Sequence, residues 1–108
     1  MGVPVILTPQ SQEDLGNIVR YIARDNPEGA RAFGNILIDR ALSVGLFPER
    51  GRIVPELGDP AVRAIIHARY RIIYEVCGDP AAVFVLRFCY GVIVKRRGVF
   101  SSSFLFSY

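Results

Sequence analysis

With 108 residues, 51% of them hydrophobic, the chain has room for one domain with a buried core and is too short for two. No apolar run reaches the ~20 residues that a membrane helix needs, and no basic-then-apolar stretch marks a signal peptide, so we expect a globular protein of the cytoplasm with no membrane partner. The net charge of +3 is uneven, because residues 1–60 hold six basic and eight acidic residues whereas residues 61–108 hold seven basic and two acidic ones, and the second part is therefore expected to meet an acidic partner.

A short β-branched run opens the chain and leads into a helix. Val3 to Leu7 predicts a first strand. Thr8 and Pro9 are typical of a helix N-cap and of the first helical position. Apolar residues then recur with the period of one helix face: Leu15, Ile18, Val19 and Ile22. The first helix is expected to end near Asp25.

A second helix follows after a tight connection. Asn26 and Pro27 repeat the cap and the proline, and an apolar stripe predicts a helix from about Pro27 to Leu46. Because so few residues separate the two helices, we expect an antiparallel helix hairpin. Gly34 lowers the helix propensity of the second helix, and we expect that it allows the two helices to approach closely.

The rest of the chain reads as a loop and a sheet. Glycines and prolines predict a loop over Phe47–Pro60. Three strands are then predicted, joined by short turns: Val62–His67, Tyr70–Cys77 and Ala82–Tyr90. The predicted class is therefore α+β, with an N-terminal strand, the antiparallel helix hairpin and a three-stranded antiparallel meander that form one sheet with the hairpin on one face.

The chain is expected to divide into a single domain over residues 1–91 and an atypical C-terminal tail over residues 92–108. The tail mixes serines and aromatic residues after a basic cluster, and its apolar residues have no clear period. We expect either an edge strand or a frayed end there.

No strong catalytic or cofactor motif is present. The sequence lacks a phosphate-binding P-loop, a Gly-x-Ser-x-Gly nucleophile and a His-Glu-x-x-His metal motif. Cys77 and Cys89 lie in strand-like segments without a Cys-x-x-Cys pair, and we expect them to be inert thiols. No cofactor and no metal is implied.

Arginines on the predicted sheet are the most suggestive feature. Arg63, Arg71 and Arg87 fall in strands, and Tyr90 and His67 stand near strand ends. Arginines bind phosphates in a bidentate manner, and a tyrosine or histidine stacks on a base or moves a proton. Such a set would suit metal-free RNA cleavage through the 2′-hydroxyl. The alternatives are structural: Arg71 pairs with Glu75, with an acid of the hairpin or with an acid of the antitoxin, and the aromatic residues belong to the core.

Strand alternation predicts which of these side chains share a face. In the strand Tyr70–Cys77, Arg71 is expected on the face opposite to Tyr70 and Tyr74. In the next strand, Arg87 and Cys89 are expected on one face, with Leu86 on the other.

Together these segments make the chain similar to the RelE/ParE family of toxins. The similarity covers roughly residues 3–91 and is carried by short pieces in a fixed order. They are Leu7-Thr8-Pro9-Gln10, Asp14-Leu15, Asn26-Pro27-Glu28, Phe47-Pro48-Glu49-Arg50-Gly51-Arg52, Pro55-Glu56-Leu57, Val62-Arg63, Tyr70-Arg71-Ile72-Ile73-Tyr74 and Val85-Leu86-Arg87-Phe88.

The resemblance implies a growth-inhibiting toxin of a type II toxin–antitoxin system, held inactive in a hetero-oligomer with a cognate antitoxin. ParE-like members of the family act on DNA gyrase, and RelE-like members cut mRNA on the ribosome. We expect ParE-like action on gyrase, without enzymatic activity. The alternative is a metal-independent, ribosome-dependent mRNA endonuclease, with Arg63, Arg71, Arg87 and Tyr90 as its catalytic residues. Arg71, in its Tyr-Arg-x-x-Tyr pattern, matches the position of the catalytic arginine of RelE-like enzymes.

The sequence departs from both branches of the family near its end. Gly91 stands where RelE-like enzymes carry another arginine, and Tyr90 stands where many ParE-like relatives have histidine in a Trp-His-Gly triplet. The segment from Val92 onward has no counterpart in the family. These departures add a second alternative, an inactive toxin remnant that only binds its antitoxin.

Overall fold

A computed structural model describes residues 2–54, 57–79 and 81–91 of the chain. These residues form two helices and one five-stranded sheet. In chain order the elements are β1 (Val5–Leu7), α1 (Pro9–Ala23), α2 (Pro27–Ser43), β2 (Arg52–Ile53), β3 (Val62–His67), β4 (Tyr70–Cys77) and β5 (Ala82–Tyr90). The α+β class is confirmed. The predicted edge strand or frayed tail over residues 92–108 lies outside the described residues.

Both helices begin at the predicted caps. The Thr8 hydroxyl accepts a hydrogen bond from the backbone N–H of Ser11 at 3.2 Å, and the Asn26 side chain accepts one from the N–H of Gly29 at 2.9 Å. Each of these bonds satisfies an amide that the first turn of a helix leaves without an intrahelical partner. A proline at the first helical position follows each cap. None of the described helices is long and apolar enough to cross a membrane.

Gly34 lies where the two helices meet. A Cβ atom at Gly34 would stand 2.9 Å from a methyl group of Val19, which real side chains essentially never tolerate. The close approach that the sequence suggested is therefore confirmed. It sets the separation of the hairpin helices above the sheet.

The strand order is β1-β5-β4-β3-β2. Strands β3, β4 and β5 form the predicted antiparallel meander. Two features go beyond it. β1 pairs in parallel with β5 at the edge of the meander. Parallel neighbours need a long connection, and here the helix hairpin and the other strands lie between the two in the chain. β2 lies within the segment predicted as a loop and adds two residues to the outer edge of β3, too few for a recognisable strand pattern.

The sheet has two differently covered faces. On the face that the helices cover, called here the helix-side face, α2 packs on the meander through a cluster of buried residues: Leu37, Ala41, Tyr70, Ile72, Val85 and Phe88. The opposite face, called the far face, carries a second cluster: Val54, Val62, Ala64, Ile73 and Cys89, with Leu57 and Leu86 against it. Each fully buried aliphatic side chain of this kind contributes about 1.5–3 kcal/mol to stability.

A β-bulge in β5 changes the predicted alternation. Ile73 pairs with Arg87 and Tyr74 pairs with Val85, so Leu86 is an extra residue on β5. Leu86 packs against the far-face cluster that contains Cys89. The expectation that Leu86 lies opposite to Arg87 and Cys89 is therefore wrong, because a bulge places two consecutive residues opposite one on the neighbouring strand.

Candidate functional site

Arg63 lies on the helix-side face and holds a loop. Its partner across β3 and β4 is Tyr74, whose side chain belongs to the core beneath the helices. One guanidinium nitrogen of Arg63 donates to the carbonyl oxygen of Gly51 at 2.9 Å and to that of Glu49 at 3.4 Å. The charge is thus turned toward the backbone of the segment between α2 and β2, called here the α2–β2 loop (residues 44–51).

Tyr74 fastens the same loop from inside the core. Its fully buried side chain donates from the hydroxyl to the carbonyl oxygen of Pro48 at 2.8 Å and accepts from the N–H of Gly51 at 2.9 Å. Burial raises the pKa of Tyr74, while the hydrogen bond from Gly51 and the nearby charges of Arg63 and Arg50 lower it to a lesser degree. A Cβ atom at Gly51 would stand 2.5 Å from the Tyr74 hydroxyl, so this contact requires glycine.

Arg71 lies on the far face, as the alternation predicted. Arg71 is buried, and it pairs with Ile66 on β3 and with Cys89 on β5. Arg63 and Arg71 therefore lie on opposite faces of the sheet. Arg63 pairs with Tyr74, and Arg71 lies three residues before Tyr74 on β4, so the two arginine positions are also roughly 10 Å apart along the strand direction.

Arg87 also starts from the far face, and its guanidinium meets the first helix at the edge of β5. Two of its nitrogens donate to the carboxylate of Asp14, at 2.7 and 3.0 Å. The backbone N–H of Phe88 donates to the same carboxylate at 3.1 Å, and the side-chain amide of Gln10 donates to it at 3.1 Å. Both members of the Asp14–Arg87 pair are buried. Arg87 is therefore paired with an acid of the hairpin.

The position of Asp14 explains how α1 is attached to the sheet. β1 covers the edge of β5 only as far as Val85. At Val85 the Thr8 hydroxyl donates to the carbonyl oxygen at 2.7 Å, and farther along β5 the carboxylate of Asp14 accepts from the backbone N–H of Phe88. The start of α1 thus continues the hydrogen bonding that β1 begins. Sequence reasoning placed Asp14 only near the helix start; its occurrence in the family-like Asp14-Leu15 pair was the available signal.

Both cysteines are free thiols. Cys77 is exposed, whereas Cys89 lies in the far-face core. Burial, and to a lesser degree the charge of Asp14, raise the pKa of Cys89 to about 11, while the charges of Arg87 and Arg71 lower it by smaller amounts. A buried thiol that stays protonated at neutral pH is a poor nucleophile, so we expect Cys89 to react slowly in the folded chain.

Tyr90 lies on the helix-side face, in a group of rings at the end of the sheet. Its ring meets that of Tyr70 edge-on, with centroids 5.2 Å apart, and Tyr70 and His67 both contact Phe33 of α2. Burial, and to a lesser degree the neighbouring phenols of Tyr90 and Tyr21, raise the pKa of Tyr70. Tyr90 itself is half exposed.

The four arginine and tyrosine positions singled out by the sequence are thus divided between two surfaces. Arg71 and Arg87 share the far face, whereas Arg63 and Tyr90 share the helix-side face. Along β4, the partners of Tyr90 and Arg63 are Tyr70 and Tyr74, four residues or roughly 13 Å apart. Within the described part of the chain, no three histidine, cysteine or acidic side chains are placed to hold a metal ion.

Comparison with known proteins identifies a family and a fold. A family model described as the ParE toxin of the type II toxin–antitoxin system parDE matches residues 5–91. Among solved structures, the chain is similar to one from the chromosomal ParDE toxin–antitoxin system of P. aeruginosa, with 17% identity, a TM-score of 0.69, and coverage of 83% of this chain and 97% of that one. It is also similar to one from the RelBE2 toxin–antitoxin complex of Mycobacterium tuberculosis, with 17% identity, a TM-score of 0.60, and coverage of 83% and 99%.

At this level of identity the two structures show likeness of fold alone. No curated protein matches the chain significantly in sequence. The family model, in contrast, spans most of the chain and every helix and strand that the structure describes. The chain therefore belongs to the ParE toxin family of type II toxin–antitoxin systems.

Proposed function

We propose that this toxin acts in the cytoplasm as a ParE-like inhibitor of DNA gyrase and that a cognate antitoxin neutralises it. Membership of the ParE toxin family supports the toxin role. The two similar structures are toxin–antitoxin systems, which supports an antitoxin partner. The basic second part of the chain suits an acidic partner surface.

The observation that carries gyrase rather than mRNA as the target is the separation of the candidate catalytic residues. Metal-free RNA cleavage needs a base, an acid and a cationic group within hydrogen-bond reach of one nucleotide. Arg63 and Arg71 lie on opposite faces of the sheet. Arg87 is engaged by the buried carboxylate of Asp14, which indicates a structural role. This arrangement favours a toxin that acts by binding.

The second candidate is a ribosome-dependent mRNA endonuclease, favoured by Arg71 in its Tyr-Arg-x-x-Tyr context and by the fold likeness to a RelBE2 complex. In that case Arg71 and Arg87 would form the far-face part of the site, and Arg63 and Tyr90 would act only after rearrangement. An inactive remnant that binds the antitoxin is the third candidate, because the family match ends at residue 91.

Assays of growth, supercoiling, mRNA cleavage and antitoxin binding on the full chain separate these candidates. We expect induction of the chain alone to arrest growth, and co-expression of the neighbouring gene's product to relieve the arrest. We expect the purified chain to inhibit supercoiling by gyrase and to leave mRNA on translating ribosomes intact. Cleaved mRNA with unimpaired supercoiling would reverse the assignment, and an Arg71→Ala variant would then be expected to lose cleavage. Unaffected growth with retained antitoxin binding would identify the remnant.

A further inference from the structure

The end of α2 and the α2–β2 loop expose large apolar side chains. Leu46 and Phe47 are 61% and 64% exposed, and Leu42, one helical turn before Leu46, is 47% exposed. Arg50 and Arg52 follow on the same segment and are exposed. We call these five residues the loop surface. Scattered apolar residues on a protein surface are ordinary, but a contiguous group with a polar border is typical of an interaction site.

The loop that presents these side chains is held rigidly from below. Tyr74 and Arg63 bind the backbone of the loop at Pro48, Glu49 and Gly51. The loop also closes on itself, since the N–H of Arg50 donates to the carbonyl oxygen of Phe47 at 2.9 Å. A buried tyrosine and a partly buried arginine are thus committed to one surface loop. Such preorganisation lowers the entropic cost of binding through Leu46 and Phe47.

Shape and charge indicate what kind of partner fits. An open, shallow space of about 640 Å³ is lined by the five loop residues from Leu46 to Arg50, so Leu46, Phe47 and Arg50 border one surface. An exposed pair of apolar side chains on an anchored loop fits an apolar pocket in a folded protein, whereas an extended peptide needs a groove or a free strand edge. Over residues 42–52 the exposed charges are those of Arg50 and Arg52 against that of Glu49, and this excess of positive charge favours an acidic border around that pocket.

We propose that the loop surface is the contact through which the toxin holds its target, at an apolar pocket bordered by carboxylates on a folded target protein. This inference rests on the proposed function, with gyrase as that target. Phe47 and Leu46 enter the pocket, and Arg50 and Arg52 face its acidic rim. Arg63 and Tyr74 are positioning residues, since they act through the backbone of the loop.

The test compares Phe47→Ser and Arg50→Glu with Ile36→Ser, a matched control. Ile36 is 42% exposed on α2, seven residues or ~10 Å along the helix axis before its last residue, Ser43. We would measure the affinity of each full-length variant for purified gyrase, its inhibition of supercoiling, its affinity for the antitoxin and its thermal unfolding. We expect Phe47→Ser to weaken gyrase binding at least ~10-fold, Arg50→Glu to weaken it ~3-fold or more, and Ile36→Ser to change it less than ~2-fold. Antitoxin affinity and unfolding should stay near wild-type values.

Four outcomes would overturn this inference. Equal gyrase inhibition by wild type and a folded Phe47→Ser variant would remove the loop surface from the target contact and leave the proposed function standing. A parallel loss of antitoxin affinity would assign the surface to the antitoxin, and loss of a wild-type dimer in Phe47→Ser would assign it to self-association. A wild-type chain that does not inhibit gyrase would refute the proposed target and this inference together.

Discussion

The carboxylate of Asp14 is the charged group that fixes α1 to β5, and its replacement by an amide measures what that contact contributes. In Asp14→Asn, the change removes a negative charge that lies 2.7 Å from the buried guanidinium of Arg87. The amide retains one oxygen, which can accept from Phe88 or from Arg87, but its NH₂ group faces donors where the carboxylate had an acceptor. The packing volume is nearly unchanged.

Removal of one partner from a buried ion pair costs about 3–5 kcal/mol. Because the amide keeps part of the hydrogen bonding, we expect the lower end, about 3 kcal/mol. A domain of this size has a total free energy of unfolding of about 5–15 kcal/mol, so the loss is a large fraction of it. With about 4 °C for each kcal/mol, Tm should fall by roughly 12 °C.

Urea unfolding monitored by circular dichroism gives both the midpoint and the slope of the transition. Glu13→Gln is the matched control, because it neutralises an exposed carboxylate on the same helix and should change stability by less than about 0.5 kcal/mol. The double variant Asp14→Leu with Arg87→Met should be more stable than Asp14→Asn, since it replaces both charges by apolar groups. A loss below about 1 kcal/mol in Asp14→Asn would contradict a structural role for the pair.

Four other variants or measurements test separate parts of the fold. Tyr74→Phe keeps the buried ring but leaves two backbone groups of the α2–β2 loop without the hydroxyl, so we expect urea unfolding to show a loss of about 1–3 kcal/mol, and an unchanged midpoint would contradict the anchoring. A thiol reagent should label Cys77 in the folded protein and Cys89 only after unfolding, and rapid double labelling would contradict the burial of Cys89. Burial raises the pKa of Cys89 from 9.0 to about 11, so the thiol ionises at lower pH in the unfolded chain than in the folded one. The free energy of unfolding should therefore fall as pH rises from 9 to 11, and it should fall less steeply in Cys89→Ala. Ala68 has a φ of +58° in the turn between β3 and β4, so Ala68→Gly should raise the free energy of unfolding by about 0.5 kcal/mol, and a destabilised variant would argue against strain there.

Much of the secondary structure follows from local sequence. The caps at Thr8 and Asn26 form as predicted because capping depends on the side chain at the cap and on amides two or three residues away. The bounds of β3, β4 and β5 agree with the prediction because β-branched and aromatic runs end at clear turn residues. The same local pattern failed for β2, whose two residues are held by pairing with β3.

The candidate site is different, because its geometry depends on contacts between distant residues. The sequence by itself determined the family, the fold class and the arginines and tyrosine worth attention. Only the tertiary structure decided that Arg63 and Arg71 lie on opposite faces, since strand register and pairing set that relation. The contact of Arg87 with Asp14 joins residues 73 positions apart, and that of Tyr74 with Pro48 joins residues 26 apart. Local patterns carry no information on such pairs, because each forms only when the helices and strands pack together around one core.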